Sequence, residues 1–397
     1  MPGSEFIGAE ERKEVLDVLE SGILFRYGYD NQRNNHWKAF ELEAEVRKFT
    51  GAPFAHAVSS GSTAVSTAMA SAGIGYGDEV IVTPFTYIAT IEAIFLAGAI
   101  PVFADIDETL CLSAEGIQKA LTPNTKGICL VHMCGASADM DSIMPLVEAN
   151  NLTLVEDAGQ ALGAFFKGKS VGLFGVSGAY SFDFFKITTA GEGGVCVAND
   201  EKVYHTMTQF SDHGHTHIGD NRGMEQHPIM GTNFRISELN AAIGKAQMQR
   251  IGYVRDKNLK NKAHIRRAIE DIDGITFRNM TDPSGDSGTF LNFFLPTQEL
   301  AEKVVSRLAK EGLGGFNYWY RNMYHFINQW EHVKNMSVPM TIVAQKLGTP
   351  QDYNKLDLPG AQNVIGRLIS LGIRANWPEN ELNEFSEKLR AILKSTV

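Results

Sequence analysis

Phe54-Ala55-His56-Ala57-Val58-Ser59-Ser60-Gly61-Ser62-Thr63-Ala64 runs from a short apolar segment directly into small residues that open a helix. The same change recurs along the next 140 residues. Predicted strands lie at 54–58, 80–84, 101–105, 127–132, 152–156, 178–182 and 194–198. They are rich in Val, Ile and Phe, and most do not alternate apolar with polar. Continuous apolar strands belong to a sheet covered on both faces. Predicted helices fall between them at 62–72, 88–97, 114–121 and 139–150. This alternation predicts an α/β fold with a mainly parallel sheet. After about residue 250 the pattern changes. A charged helix is expected at 256–272, strands at 275–278 and 290–295, and helices near 299–310 and 379–394. The expected organisation is a large domain at 1–250 and a smaller α+β domain at 251–397. Asp282-Pro283-Ser284-Gly285-Asp286-Ser287-Gly288 reads as a surface loop.

Composition narrows the class. The chain has 397 residues, 44% hydrophobic and 21% charged, enough to bury a large core without staples. Its 36 Lys+Arg against 46 Asp+Glu give a net charge of −10. That argues against a nucleic-acid partner but leaves room for a local basic pocket. Cys111, Cys129, Cys134 and Cys196 form no CxxC pair and sit among apolar residues, as buried free thiols of a reducing compartment do. The longest apolar stretch, 93–104, contains Gly98 and Pro101 and falls short of the ~20 residues that span a bilayer. Met1-Pro2-Gly3-Ser4-Glu5 has neither a basic region nor an apolar run. A cytoplasmic protein without membrane contact is expected.

Three segments carry chemistry. In 59–64, Gly61 permits close backbone approach, while Ser62 and Thr63 bring hydroxyls and N–H groups to the positive end of a helix. That suits a phosphate; the competing reading is a cluster of capping residues. No Gly-Lys-Ser/Thr follows, and Gly73-Ile74-Gly75-Tyr76-Gly77 ends a helix, so neither is a nucleotide fingerprint. In Leu154-Val155-Glu156-Asp157-Ala158-Gly159-Gln160, two acids follow a buried strand, where open α/β sheets place their ligands. A carboxylate there either holds a cationic ring nitrogen or caps a helix. In Ser181-Phe182-Asp183-Phe184-Phe185-Lys186, a lysine flanked by aromatics precedes the glycine-rich 191–194 turn. Desolvation by those neighbours would lower its pKa, as a Schiff-base lysine requires. Lys167 and Lys169 read as an exposed hairpin turn instead.

Together SSGSTA (59–64), TPFTYIAT (83–90), EDAGQALG (156–163), SFDFFK (181–186) with GEGG (191–194), and GTNFRISELNAAIG (231–244) resemble the DegT/DnrJ/EryC1/StrS family of sugar aminotransferases. The resemblance implies the aspartate-aminotransferase fold, with seven strands in the large sheet. It implies a pyridoxal 5'-phosphate cofactor, with pyridoxamine phosphate as the intermediate form. Lys186 would be the Schiff-base lysine, Asp157 the partner of the ring nitrogen, and Gln160 the partner of the ring hydroxyl. Gly61, Ser62, Thr63 and Ser181 would bind the phosphate. Tyr87 would stack on the ring, with Phe85 as the competing stacker. Asn233 would reach the partner subunit's cofactor, making a homodimer with composite sites. His213, His215 and His217, beside Asp212 and Asp220, alternate as ligands on a strand would, yet fall on a loop beside the site, and no metal is expected.

The same resemblance frames the substrate. A related sugar dehydratase has histidine at the lysine position, so Lys186 favours amino transfer over a dehydratase or lyase. Residues 25–35 resemble the branch that aminates C8 of 3-deoxy-manno-octulosonate (Kdo), with L-glutamate as donor and lipopolysaccharide as the destination. Arg26 and Arg374 would serve that sugar's carboxylate, joined by Tyr27 and His325. The alternative acceptor is a nucleotide-linked 4-keto-6-deoxy or 3-keto hexose. A non-catalytic regulatory protein is a further alternative, but no basic patch supports it.

Overall fold

The computed structural model describes residues 2–219 and 221–397. All seven expected strands form, and they share one sheet. In chain order these are β1 Phe54–Val58, β2 Glu79–Val82, β3 Ile100–Phe103, β4 Thr125–Val131 and β5 Thr153–Asp157. The β6 Phe165–Phe166 and β7 Lys169–Ser170 pair forms a separate hairpin, with Lys167 and Gly168 at its turn. The large sheet is completed by β8 Ser177–Ser181 and β9 Gly194–Ala198. The order is β1-β9-β8-β5-β4-β2-β3, and β9 alone runs against the rest.

The sheet is buried on both faces, which is why its strands read as unbroken apolar runs. Along β9, Cys196 and Ala198 face one core while Val195 and Val197 face the other. The first core is closed by α3 (Gly61–Ser71) and α4 (Ala89–Leu96). The second is closed by the helix Lys38–Thr50, through Leu42 and Val46, and by Glu238–Met248, through Ala241 and Met248. All four cysteines are free and buried, and burial pushes their thiols up. No helix among the described residues is long and apolar enough to cross a membrane.

A smaller antiparallel sheet follows, with β10 Thr276–Phe277, β11 Phe290–Phe294, β12 Phe316–Asn317 and β13 Leu368–Gly372 in the order β10-β11-β13-β12. Helices Ile251–Ile269, Gln298–Lys310 and Glu379–Lys394 cover it with a third apolar cluster. The charged helix thus starts five residues before its expected position. Between β12 and β13 the chain returns to the large body, where Trp319, Phe326, Trp330 and Ile365 join the first core. The expected surface loop at 282–288 is half wrong. Gly285, Asp286, Ser287 and Gly288 are buried, because Asp286 pairs with Lys262 and Ser287 N–H donates to Gly135 O at 3.0 Å.

Two of the expected substrate residues are placed away from the main cavity. Arg26 is 1% exposed. It donates to Ala57 O at 2.6 Å and to Glu43 Oε1 at 2.7 Å, while Ala57 N–H donates to the same Glu43 oxygen at 2.7 Å. It therefore ties residues 22–35 to β1 and the helix behind it, and its burial leaves no open face for a ligand carboxylate. Tyr27 stacks on His217 at 4.4 Å between centroids, with its hydroxyl buried. Neither lines the main cavity.

Removing one member of a buried ion pair leaves an uncompensated charge. Arg26→Met should therefore lower stability by about 3–5 kcal/mol, read as a fall in the urea midpoint. Adding Glu43→Leu should recover much of that loss. The double variant should keep wild-type KM values for both substrates; a rise would return Arg26 to a binding role.

Candidate active site

A cavity of about 1260 Å³ opens between the C-terminal ends of the large sheet's parallel strands and the small sheet. Strands buried on both faces can offer polar groups only at their ends, so the site forms there. Ser60, Gly61 and Ser62 arrive after β1, Thr86, Tyr87 and Thr90 after β2, Asp157 and Gln160 from β5, and Ser181 and Lys186 from β8. Asn317, Asn322, His325, Arg374 and Trp377 face them from the other side.

At the N-terminus of α3, both readings of the serine-rich turn hold, on different residues. Ser60 Oγ accepts from Thr63 N–H at 3.1 Å and Thr63 Oγ1 accepts from Ser60 N–H at 2.9 Å, a reciprocal cap. Thr63 is thereby committed to the cap and does not line the cavity, so its hydroxyl is withdrawn from the expected phosphate set. Gly61 and Ser62 keep N–H groups with no acceptor among the described residues. Glycine is required at 61, since a Cβ there would sit 2.6 Å from Ser181 Oγ. This contact brings the helix N-terminus onto the end of β8.

Asp157 ends β5. Its Oδ2 accepts from Thr90 Oγ1 at 2.7 Å and its Oδ1 from Gly159 N–H at 2.9 Å. The competing role as a helix cap fails, because residues 158–163 form turns. Gln160 Oε1 accepts from Cys134 N–H at 3.4 Å. The Lys186 amine has no hydrogen-bond or ion-pair partner among the described residues. Burial pulls it below the ordinary lysine value, against the opposite pull of Asp183 and Asp157. The expected source of that burial is corrected in part: Phe184 and Phe185 are 47% and 64% exposed, and only Phe185 borders the cavity, so the cavity walls as a whole and not a sleeve of flanking rings dry the amine. Between the two stacking candidates, Tyr87 lines the cavity at 45% exposure, whereas Phe85 is wholly buried against Trp319.

His325 is held in one tautomer. Asn322 Oδ1 accepts from Tyr324 N–H at 2.9 Å, which orients the amide. The same oxygen lies 2.9 Å from His325 Nδ1, so that nitrogen carries the proton and Nε2 keeps its lone pair. Burial, reinforced by Lys186, pushes the ring's pKa down to about 4. Arg374 is exposed into the cavity, lies 5.4 Å from the Trp377 ring centroid, and has no acidic partner among the described residues.

Asn233 is not brought to this cavity. It is exposed, in a bridge with Asp212, and its Oδ1 accepts from Arg235 N–H at 3.3 Å. The histidine loop is no strand, since His213 and His217 have φ of 55° and 56°. His217 lies 3.6 Å from Asp212 and His215 3.2 Å from Glu225. Asp220 lies outside the described residues, and among the described ones no three His, Cys, Asp or Glu are placed to hold a metal ion. Sequence reasoning missed Thr90, Asn322 and Trp377. Only Thr90 left a signal, the four-residue step from Thr86 that aligns two hydroxyls.

Comparison with known proteins agrees with this architecture. Over 397 residues, 98% of this chain and 95% of the other, it is 30% identical to the spore coat polysaccharide biosynthesis protein SpsC of Bacillus subtilis. It is 33% identical over 312 residues to the GDP-perosamine synthase of Vibrio cholerae, 78% of this chain and 79% of that one. Among solved structures, an aminotransferase from Psychrobacter cryohalolentis superposes with a TM-score of 0.84 at 26% identity, covering 98% of both chains. The signature of one family matches residues 5–390, and the chain belongs to it: the DegT/DnrJ/EryC1/StrS aminotransferase family.

Proposed function

We propose that this chain moves an amino group from L-glutamate to the carbonyl carbon of an oxidised sugar, with pyridoxal phosphate as cofactor. One observation carries the reading: an unpartnered lysine amine, a buried carboxylate and a helix N-terminus with free N–H groups converge on one cavity. The residues fit the cofactor. Gly61, Ser62 and Ser181 would cradle its phosphate, Asp157 would pair with the ring nitrogen, Gln160 with the ring hydroxyl, and Tyr87 would cover the flat ring. Bound there, pyridoxal phosphate supplies an electron sink for charge developing at a substrate carbon. The chain supplies the rest. Asp157 keeps the ring nitrogen cationic, and Lys186, its amine eased toward neutrality by burial, takes and returns a proton at the reacting carbon. His325 Nε2 accepts a hydrogen bond from a sugar hydroxyl. Asn233 lies outside its own chain's cavity, which suits a residue serving the partner subunit in a homodimer.

The acceptor we favour is a nucleotide-linked keto hexose. Similarity to a GDP-perosamine synthase supports it, and the cavity exceeds the ~300–1,000 Å³ of ordinary small-molecule sites. The C8 aldehyde of oxidised Kdo is the second reading. It loses Arg26 but keeps Arg374, an unpaired guanidinium suited to a carboxylate. Side-by-side assays with both acceptors decide the matter. The expected result is a higher kcat/KM for the nucleotide-linked sugar; the reverse order restores the Kdo reading.

Borohydride reduction of the holoenzyme followed by peptide mapping should place the cofactor label on Lys186. Lys186→Ala should lose that label and at least about 10²–10⁴-fold in turnover, the usual size of a general acid–base contribution. A label elsewhere, or sustained multiple turnover in the variant, would remove the assignment.

A further inference from the structure

Thr86 and Thr90 are both buried, and the mechanism above uses neither hydroxyl. Thr90 Oγ1 lies 2.7 Å from Asp157 Oδ2, 2.9 Å from Thr86 Oγ1 and 3.1 Å from Tyr87 O. A hydroxyl has one proton to give. The carboxylate is both nearer and the stronger acceptor, so the Thr90 proton goes to Asp157. Thr90 Oγ1 is then free to accept, and the Thr86 hydroxyl is placed to donate to it. The result is a directed chain, Thr86 to Thr90 to Asp157, in which each bond polarises the next. Gly159 N–H holds the other carboxylate oxygen, so the plane of the group is fixed from both sides.

We propose that Thr90, backed by Thr86, is a positioning residue for Asp157: it fixes which face of the carboxylate meets the cofactor ring and keeps their shared proton on the ring nitrogen. This rests on the function proposed above. A hydrogen bond given to the charged form of a carboxylate favours that form over the protonated one. Without the Thr90 bond, the proton would move toward Asp157 and the ring would lose its positive charge. The threonine side chain also suits the start of α4 sterically, and a purely structural role is separable by isosteric replacement. Valine keeps the shape and loses the hydroxyl, whereas serine keeps the hydroxyl and loses a methyl.

The test uses holoenzyme carrying Thr90→Val, Thr90→Ser or Thr86→Val. Three quantities are read: the pH midpoint of the bound cofactor's visible absorption, the Kd for pyridoxal phosphate, and the single-turnover rate of the glutamate half-reaction. Thr90→Val should raise the midpoint, because a less cationic ring lets the lysine-linked nitrogen keep its proton to higher pH. It should slow the half-reaction about 10-fold, the worth of one hydrogen bond to a charged group. Thr90→Ser should restore both values, and Thr86→Val should move them the same way by less. A wild-type midpoint and rate in Thr90→Val would overturn the proposal, as would equal losses in the valine and serine variants. If Thr90→Val fails to fold, Thr86→Val decides, and an unmoved midpoint there rejects the relay. Borohydride mapping of the wild-type enzyme keeps the two readings apart. Label on Lys186 with an unaffected Thr90→Val sinks the relay alone, while absence of that label sinks both.

Discussion

The strand ends are held in place by one buried carboxylate, Glu156. Side chains alternate along β5, so Glu156 points away from the cavity that Asp157 faces. It is wholly buried and accepts from Gly172 N–H at 2.7 Å, Gly175 N–H at 2.6 Å and His132 Nε2 at 2.9 Å. The histidine donates because its Nδ1 already accepts from Ala138 N–H at 3.1 Å. A buried carboxylate without partners would cost several kcal/mol, so these three bonds constrain the backbone around it. The 172–178 turn can comply only as glycine. A Cβ at Gly175 would sit 2.3 Å from Leu154 O, and one at Gly178 would sit 2.1 Å from Gly172 O. The end of β4, the end of β5 and the turn that leads into β8 are thereby fixed together, and β8 then pairs with β5 from Val155 opposite Ser177 to Asp157 opposite Ala179.

Much of this was legible in the chain. The strands of the large sheet are covered on both faces, so each reads as an apolar run whose ends fall within two residues of the observed ones. Asp157 was legible for the same reason, as an acid at the end of such a run; Lys186 was marked by its aromatic neighbours and the glycine-rich turn after it, and Ser181 by the family resemblance alone. The reading failed where a side chain's partner is distant in sequence. Arg26 reads as a ligand-binding arginine because nothing near it in sequence shows Glu43 or the Ala57 carbonyl. Phe184 and Phe185 read as a desolvating sleeve, yet both rings are exposed and only Phe185 borders the cavity. Asp286 sits in a Gly/Ser/Pro-rich stretch typical of exposed loops, and only its pairing with Lys262 buries it. For Arg26 and Asp286, local composition points one way and a long-range polar contact overrides it.

Adjacent identical chemistries also diverge for reasons that sequence hides. Glu156 and Asp157 are neighbours, both carboxylates, both buried. Glu156 accepts three bonds from fixed protein donors and is wholly buried outside the cavity lining, so no ligand reaches it. Asp157 receives one donor on each oxygen and still lines open space. The difference comes from strand alternation, which assigns one to the packed face and the other to the cavity.

The two walls of the cavity therefore divide the work. Under the proposed function, the wall built from strand ends fixes the cofactor, with the phosphate at Gly61, Ser62 and Ser181 and the ring nitrogen at Asp157. A substrate then has only the opposite wall to meet, and that wall is irregular: His325 in its fixed tautomer, and Arg374 with Trp377 just beyond β13. Residues that follow regular strands are constrained by the sheet, so the reaction class follows from them. The irregular wall is tied to the sheet through its backbone, since Thr86 N–H donates to His325 O and Ile88 N–H to Tyr324 O, both at 3.0 Å, while its cavity-facing side chains carry no strand register. Under that function the acceptor would be met by side chains of this second wall, which is why the motifs of the large sheet speak to the reaction class and leave the sugar open.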